Sequence, residues 1–188
     1  QSNYQVILPL GKEDIHLITK KNSGIKTLAD LNGKRVGVGQ TDQGTYVTSL
    51  YIKKLTQGKW YDVTIAIDNM SSALMDGYID AFFMVGASPM GKLSNLPQEI
   101  SNAIQLVPIQ HDSLNSLYSQ ITLKANTYPW LTVDVPTFSL GYALVTNISG
   151  ETQADRDKYF ELLTTVKNNI AKLKESGHPA WKDVHFSF

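Results

Sequence analysis

The residues best placed for chemistry in this 188-residue chain are five polar ones in a row, Thr41-Asp42-Gln43-Gly44-Thr45. They follow an apolar stretch and open a run with helical spacing. Amides at the start of a helix lack intrahelical partners, and the helix dipole adds partial positive charge there. Such a turn suits a carboxylate or another small anion. Its plain alternative is an ordinary strand-to-helix connection. Asp68-Asn69-Met70-Ser71-Ser72 repeats the character of that turn, with Ser71 or Ser72 as a cap for a short helix. A doubly wound sheet places its ligand at such carboxyl ends of strands.

Catalysis finds little support. The chain has no cysteine, no G-x-S-x-G, no P-loop and no H-E-x-x-H. Asp14 with His16 and His111 with Asp112 are neighbours, but adjacency in sequence does not assemble a triad. His16 in an apolar strand reads first as a packed side chain. His178 and His185 lie across Pro179 with no cysteine nearby, which is not a metal signature. Asp68 and Asp134 are the carboxylates that helices and caps explain least well.

The elements that must position these residues follow from local patterns. Thr27 and Asp30 form a T-x-x-D capping box, and Gly33 sits where a helix needs a left-handed residue to stop. The spacing predicts strands over 6–10 and 16–19 around a turn at 11–14, and a further strand over 34–38. A helix is expected over 45–57, with Val47, Leu50, Tyr51 and Leu55 on its buried face and Gly58 at its end. Strands are expected over 63–67, 80–85, 104–109 and 138–145, and short helices over 73–76, 90–96 and 113–119. In DAFFMV, Phe82 and Phe83 must point to opposite faces of the sheet, so only one of them can line a cleft, and both serve equally as core. Residues 152–176 carry the strongest helical pattern, with Thr152 and Asp155 as a second capping box and Gly177 as its stop.

Composition bounds the function. The length suits one large domain or two small lobes. Formal net charge is zero, which leaves no electrostatic footprint for nucleic acid or an anionic membrane. No apolar run approaches membrane-spanning length. Absence of cysteine fits an exported bacterial protein. Gln1-Ser2-Asn3 reads as the remnant of an expression tag.

GIKTLADLNGKRVGVG, then QGT, and later ALMDGYIDAFFMVGASP, resemble the TAXI-type solute receptors of tripartite ATP-independent periplasmic (TRAP) transporters, within the wider class of type II periplasmic binding proteins. In that family a serine- or glycine-rich turn ends in Gly-Thr; here the Gly-Thr is kept and Gln43 precedes it. Tyr128-Pro129 followed by Asp134-Val135-Pro136-Thr137 is similar to another family stretch. The resemblance implies that the far end of the 80–85 strand faces the cleft. Phe83, Val85 and Gly86 are then candidates for a ligand wall, and Tyr128 for reaching the cleft with ring and hydroxyl, unless it packs as a Tyr-Pro turn.

A full receptor of this kind has an additional N-terminal lobe with a Gly-Ser-rich loop, and nothing here matches it. The expectation is therefore an α/β, periplasmic-binding-protein-like lobe with a doubly wound mixed sheet over 21–135. Residues 4–20 and 136–188 would supply hinge strands and a long C-terminal helix of a partial second lobe. The resemblance implies an extracytoplasmic, non-enzymatic solute-binding protein without a cofactor. Thr41, Gln43, Gly44 and Thr45 would hold the anionic group of a small carboxylate-bearing solute, and a TRAP-type membrane permease would receive it. Pairing of two copies would cover apolar surface on an incomplete lobe. The alternatives are a ligand-sensing module of a signalling receptor, an enzyme on the same fold, or a fragment that binds nothing because half of its cleft is missing.

Overall fold

The computed structural model describes residues 3–177, 181, 182 and 184. They divide into two compact units, one of Asp14–Leu140 and one of Gln1–Glu13 with Gly141–Phe188. The Asp14–Leu140 unit extends several residues beyond the expected lobe of 21–135 at each end.

Local chemistry sets the first elements of the Asp14–Leu140 unit. Asp30 Oδ2 accepts from the Thr27 amide at 2.9 Å and opens a single 3-10 turn, Leu28–Leu31. Gly33 takes φ +74° and turns the chain into strand β2 (Arg35–Gly39). Helix α1 (Gly44–Thr56) starts where the spacing predicts. It stops at Gln57, which takes the left-handed conformation that the sequence reading gives to Gly58. Glycine is needed at 58 for another reason: a Cβ there would lie 2.0 Å from the Trp60 ring.

The buried face of α1 differs from the predicted one. Thr45, Thr48, Ser49 and Ile52 are buried, while Val47 and Tyr51 are about half exposed. The observed set keeps helical spacing but starts two residues earlier. Its small residues let the helix approach the sheet closely, and the Ser49 hydroxyl is satisfied by donating to Tyr46 O at 2.8 Å.

The sheet is mixed. β3 (Tyr61–Thr64) and β4 (Ala81–Gly86) both run parallel to β2, one on each side of it. β1 (Tyr4–Lys20) pairs antiparallel with β4, Asp14 opposite Gly86 and Leu17 opposite Phe83, and β5 (Ile104–Leu106) pairs antiparallel with the end of β1. β6 (Ser119–Leu123) pairs antiparallel with β7 (Val135–Asn147). β1 is one continuous 17-residue strand, not two strands around a turn. β6 has no counterpart in the sequence reading: only Ile121 and Leu123 alternate in its five residues, too short a pattern to mark a strand.

The chain winds on both faces of this sheet. Ile52 of α1 packs with Leu17, Val36, Val38 and Phe83 on one face. Helix α2 (Met70–Met75) contributes Met70, Ala73 and Leu74 to the other, with Ile18, Phe82 and Met84. Phe82 and Phe83 therefore divide between the two cores, as alternation along a strand requires. Two short helices follow, α3 (Gly91–Ser94) and α4 (Gln98–Ala103).

The second unit contains the first part of β1, the second part of β7 and helix α5 (Gln153–Ser176). Thr152 caps α5 as expected: its hydroxyl accepts from the Asp155 amide at 3.3 Å, and Asp155 accepts from the Thr152 amide at 3.1 Å. α5 has no fully buried residue, and Phe160 and Leu162 are exposed. The expectations for Gln1, Ser2, His178, Pro179 and His185 lie outside the described residues.

Candidate functional site

Two turns leave the carboxyl ends of the adjacent parallel strands β2 and β4. The first, residues 40–43, holds itself together. Gln43 Oε1 accepts from the Gln40 amide at 2.9 Å, and the Gln43 amide donates to Gln40 O at 3.0 Å. Gly39 takes φ +86°, and a side chain there would press on Gln43 Oε1 and Thr45 Cβ at 3.2–3.3 Å. Glutamine in place of a small residue is thus used inside the turn: its carbonyl is engaged, and its NH2 group remains a donor. Thr41 and Gly44 are exposed and Gln43 is half-buried. Gly44 and Thr45 open α1, so their amides have no carbonyl a turn earlier in the helix.

Thr45 is buried, and its Oγ1 accepts from the Val85 amide at 3.1 Å. That bond ties the start of α1 to the end of β4 and leaves the Thr45 hydroxyl proton free to donate elsewhere. Of the eight residues named from the sequence, Thr45 and Val85 are joined directly, with Gln43 and Gly44 immediately before them.

Two of the expected wall residues are core side chains in this unit. Phe83 is 0% exposed and packs on Trp60, with ring centroids 5.9 Å apart. Tyr128 is also 0% exposed, stacked on Trp130 at 5.3 Å. Burial in the cores removes both rings from any surface that a solute meets within this unit. Val85 is half-buried. Gly86 is buried, and a Cβ on it would lie 2.7 Å from Met90 Cε.

The turn after β4 is held by a side-chain cluster. Tyr128 OH lies 2.7 Å from His16 Nε2 and accepts from the Met90 amide at 3.2 Å. Ser88 Oγ is 3.2 Å from the same imidazole nitrogen, and His16 Nδ1 is 3.2 Å from Met84 O. Burial drives the His16 pKa down to about 4, against the pull of the Met84 and Asp14 backbone. Burial also raises the Tyr128 pKa. A serine beside a histidine invites comparison with a catalytic dyad. Here the imidazole is a weak base, and Tyr128 holds its acceptor nitrogen at the shorter distance.

The remaining polar candidates are structural. Ser71 and Ser72 sit inside α2 and do not cap it; Ser72 Oγ donates to Asn69 O at 3.0 Å. Asp68 is ion-paired with Lys92, and Asp134 accepts from Lys124 Nζ at 2.8 Å and from the Ala125 amide at 2.9 Å. His111 Nδ1 accepts from the Ser113 amide at the head of a 3-10 turn. Among the described residues, no three His, Cys, Asp or Glu side chains converge as a metal site requires. A groove of about 930 Å³ lies along β6 and β7, lined by Gln110, His111, Asp112, Gln120 and others. It includes none of the turn residues, and its polar lining is mostly exposed, so it reads as surface relief.

What the sequence reading missed is the set that holds the second turn: His16 as an acceptor, Ser88 and the Met90 amide. His16 and Tyr128 are 112 residues apart. Only the strand register and the loop that brings Tyr128 back to β1 make them neighbours.

Solved structures share this fold. An ancestral arginine-binding protein bound to arginine matches with a TM-score of 0.54 at 18% identity, over 95% of this chain and 61% of its own. The substrate-binding protein of an amino acid ABC transporter matches at 0.52 and 13%, over 91% and 62%. The arginine-, lysine-, histidine-binding protein of Geobacillus stearothermophilus matches at 0.51 and 17%, over 93% and 63%. This chain spans about three-fifths of the length of these proteins. The likeness establishes the fold of a type II periplasmic binding protein, and no described helix is long and apolar enough to cross a membrane. The NMT1-like family matches residues 1–186, so the chain belongs to that family.

Proposed function

We propose that this chain is the solute-holding part of an extracytoplasmic solute-binding protein. It captures a small carboxylate-bearing solute, such as an amino acid or a dicarboxylate, as a two-lobed receptor closes. The observation that carries this reading is the Thr45–Val85 bond. It places the open amides of the first turn of α1 beside the end of β4, at the carboxyl edge of a doubly wound sheet. Thr41, Gln43, Gly44 and Thr45 supply amide and side-chain donors for the carboxylate. Val85 and Gly86 border the solute, and Phe83 and Tyr128 support that border from beneath.

The test is native mass spectrometry of the natural full-length protein, purified without refolding, followed by titration with amino acids and dicarboxylates and by scattering. A retained solute and a contraction on binding support the reading. No binding and no contraction across both classes would sink it.

The order of sequence motifs supports a TRAP-type permease as the receiver. One fold neighbour serves an amino acid ABC transporter. Solute uptake by membrane vesicles, dependent on this protein and independent of ATP, favours the TRAP assignment; a requirement for ATP moves it to the ABC class.

A further inference from the structure

The imidazole of His16 sits on β1 with 1% exposure. A carbonyl only accepts, so the contact with Met84 O places the ring proton on Nδ1. Nε2 is then the acceptor, and Tyr128 donates to it at 2.7 Å. With its proton committed, the Tyr128 oxygen receives the Met90 amide at 3.2 Å. The bonds run in one direction: Met90 N–H to Tyr128, Tyr128 O–H to His16, His16 N–H to Met84 O. They link Met84 within β4 to Met90 at the far end of the turn that follows the strand.

A protonated imidazole has no lone pair on Nε2. It would donate to the Tyr128 oxygen and crowd the Met90 amide there, and the Tyr128 proton would lose His16 as its acceptor. We propose that His16 is a positioning residue that holds the 86–90 turn for solute through Tyr128, and that protonating His16 unlocks this turn. The proposal rests on the reading that the turn borders the solute.

The surroundings make the lock one-sided. β4 presents Met84 to the ring, the turn presents Ser88, and the loop before β7 presents Tyr128, none of them charged. The charged group nearby is Asp14 on β1, whose carboxylate adds to the rise in the Tyr128 pKa. Burial keeps the imidazole neutral down to about pH 4. The turn is therefore locked at neutral pH and opens in acid.

Amide exchange of the natural full-length protein without solute, from pH 7.5 to 4 and corrected for intrinsic rates, reads the lock. The Met90 amide should lose at least tenfold of its protection towards pH 4, relative to the remote Asp80 amide bonded to Arg35 O. Equal change at both amides overturns the proposal. In His16→Gln, the side-chain oxygen can stand in for Nε2 and does not titrate. Met90 protection should then be retained and flat with pH; a persisting fall in acid overturns the proposal. Tyr128→Phe should leave Met90 unprotected at every pH with its ring still stacked, and unchanged Met90 protection there also overturns it. If that variant does not fold, His16→Gln decides. Calorimetric titration of the same proteins with L-arginine and L-glutamate is a separate readout. Absence of binding by the wild type counts against the solute reading, whereas the exchange result stands or falls by itself.

Discussion

The two turns at the sheet edge are built in opposite ways. The turn over 40–43 is exposed and held by its own backbone and one local side chain, Gln43. The turn over 86–90 is held from beneath by His16 and Tyr128, two fully buried side chains from distant parts of the chain. The first turn offers backbone amides, whose positions the start of α1 determines, so almost any side chain is compatible with it. The second takes its shape from partners that must be present and correctly protonated. On the proposed function, the first would therefore be the more tolerant surface for a solute, and the second the more sensitive to substitution and pH.

Four outcomes would sharpen or break this contrast. The largest effect belongs to Tyr128→Ala, which removes a buried ring stacked on Trp130 and the acceptor of the Met90 amide. A loss of about 3–5 kcal/mol in urea unfolding is expected; a loss below about 1 kcal/mol would show that the second turn does not depend on its buried support.

Next is the pH dependence. Folded His16 remains neutral to about 4, while an unfolded imidazole takes up a proton near 6.5. The unfolded state thus binds more protons in that interval. The contribution is complete above 6.5 and falls through the interval to 4, by about 3 kcal/mol in all. Unfolding curves at pH 7 and 4.5, compared between wild type and His16→Gln, measure it. An identical pH slope in the variant would contradict the assignment.

Thr45→Val comes third. It leaves the Val85 amide without its partner and should cost about 1–3 kcal/mol. It should also weaken solute binding, because it separates the two turns. Thr45→Ser, which keeps the hydroxyl, should recover most of both in the same titration. The smallest effect is expected for Gln43→Ala. The exposed turn should lose no more than about 0.5 kcal/mol, and any larger drop would mean that this turn too depends on one side chain.

A parallel contrast separates the two units. The Asp14–Leu140 unit has a core on each face of its sheet. α5 in the other unit repeats Tyr159, Leu163, Val166, Ile170 and Leu173 at helical spacing, yet none of its residues is fully buried. Amphipathic spacing records what a helix can bury, and the amount buried depends on what is packed against it.

The sequence by itself determined the local features. Both capping sites, the stop at Gly33, the start of α1 and the opposite facing of Phe82 and Phe83 depend on residues a few positions apart, where backbone sterics and hydrogen-bonding reach decide. The first candidate turn was legible for the same reason. Tertiary structure alone decided three things. It chose the small polar face of α1 over Val47 and Tyr51, because distance to the sheet mattered more than hydrophobicity. It fused the first two expected strands into β1, because the position read as the end of a turn, Asp14, is itself extended and paired with Gly86 of β4. It also placed Tyr128 beneath the second turn and not on its surface, because a hydroxyl 112 residues from its imidazole partner is satisfied only where the fold brings the two together.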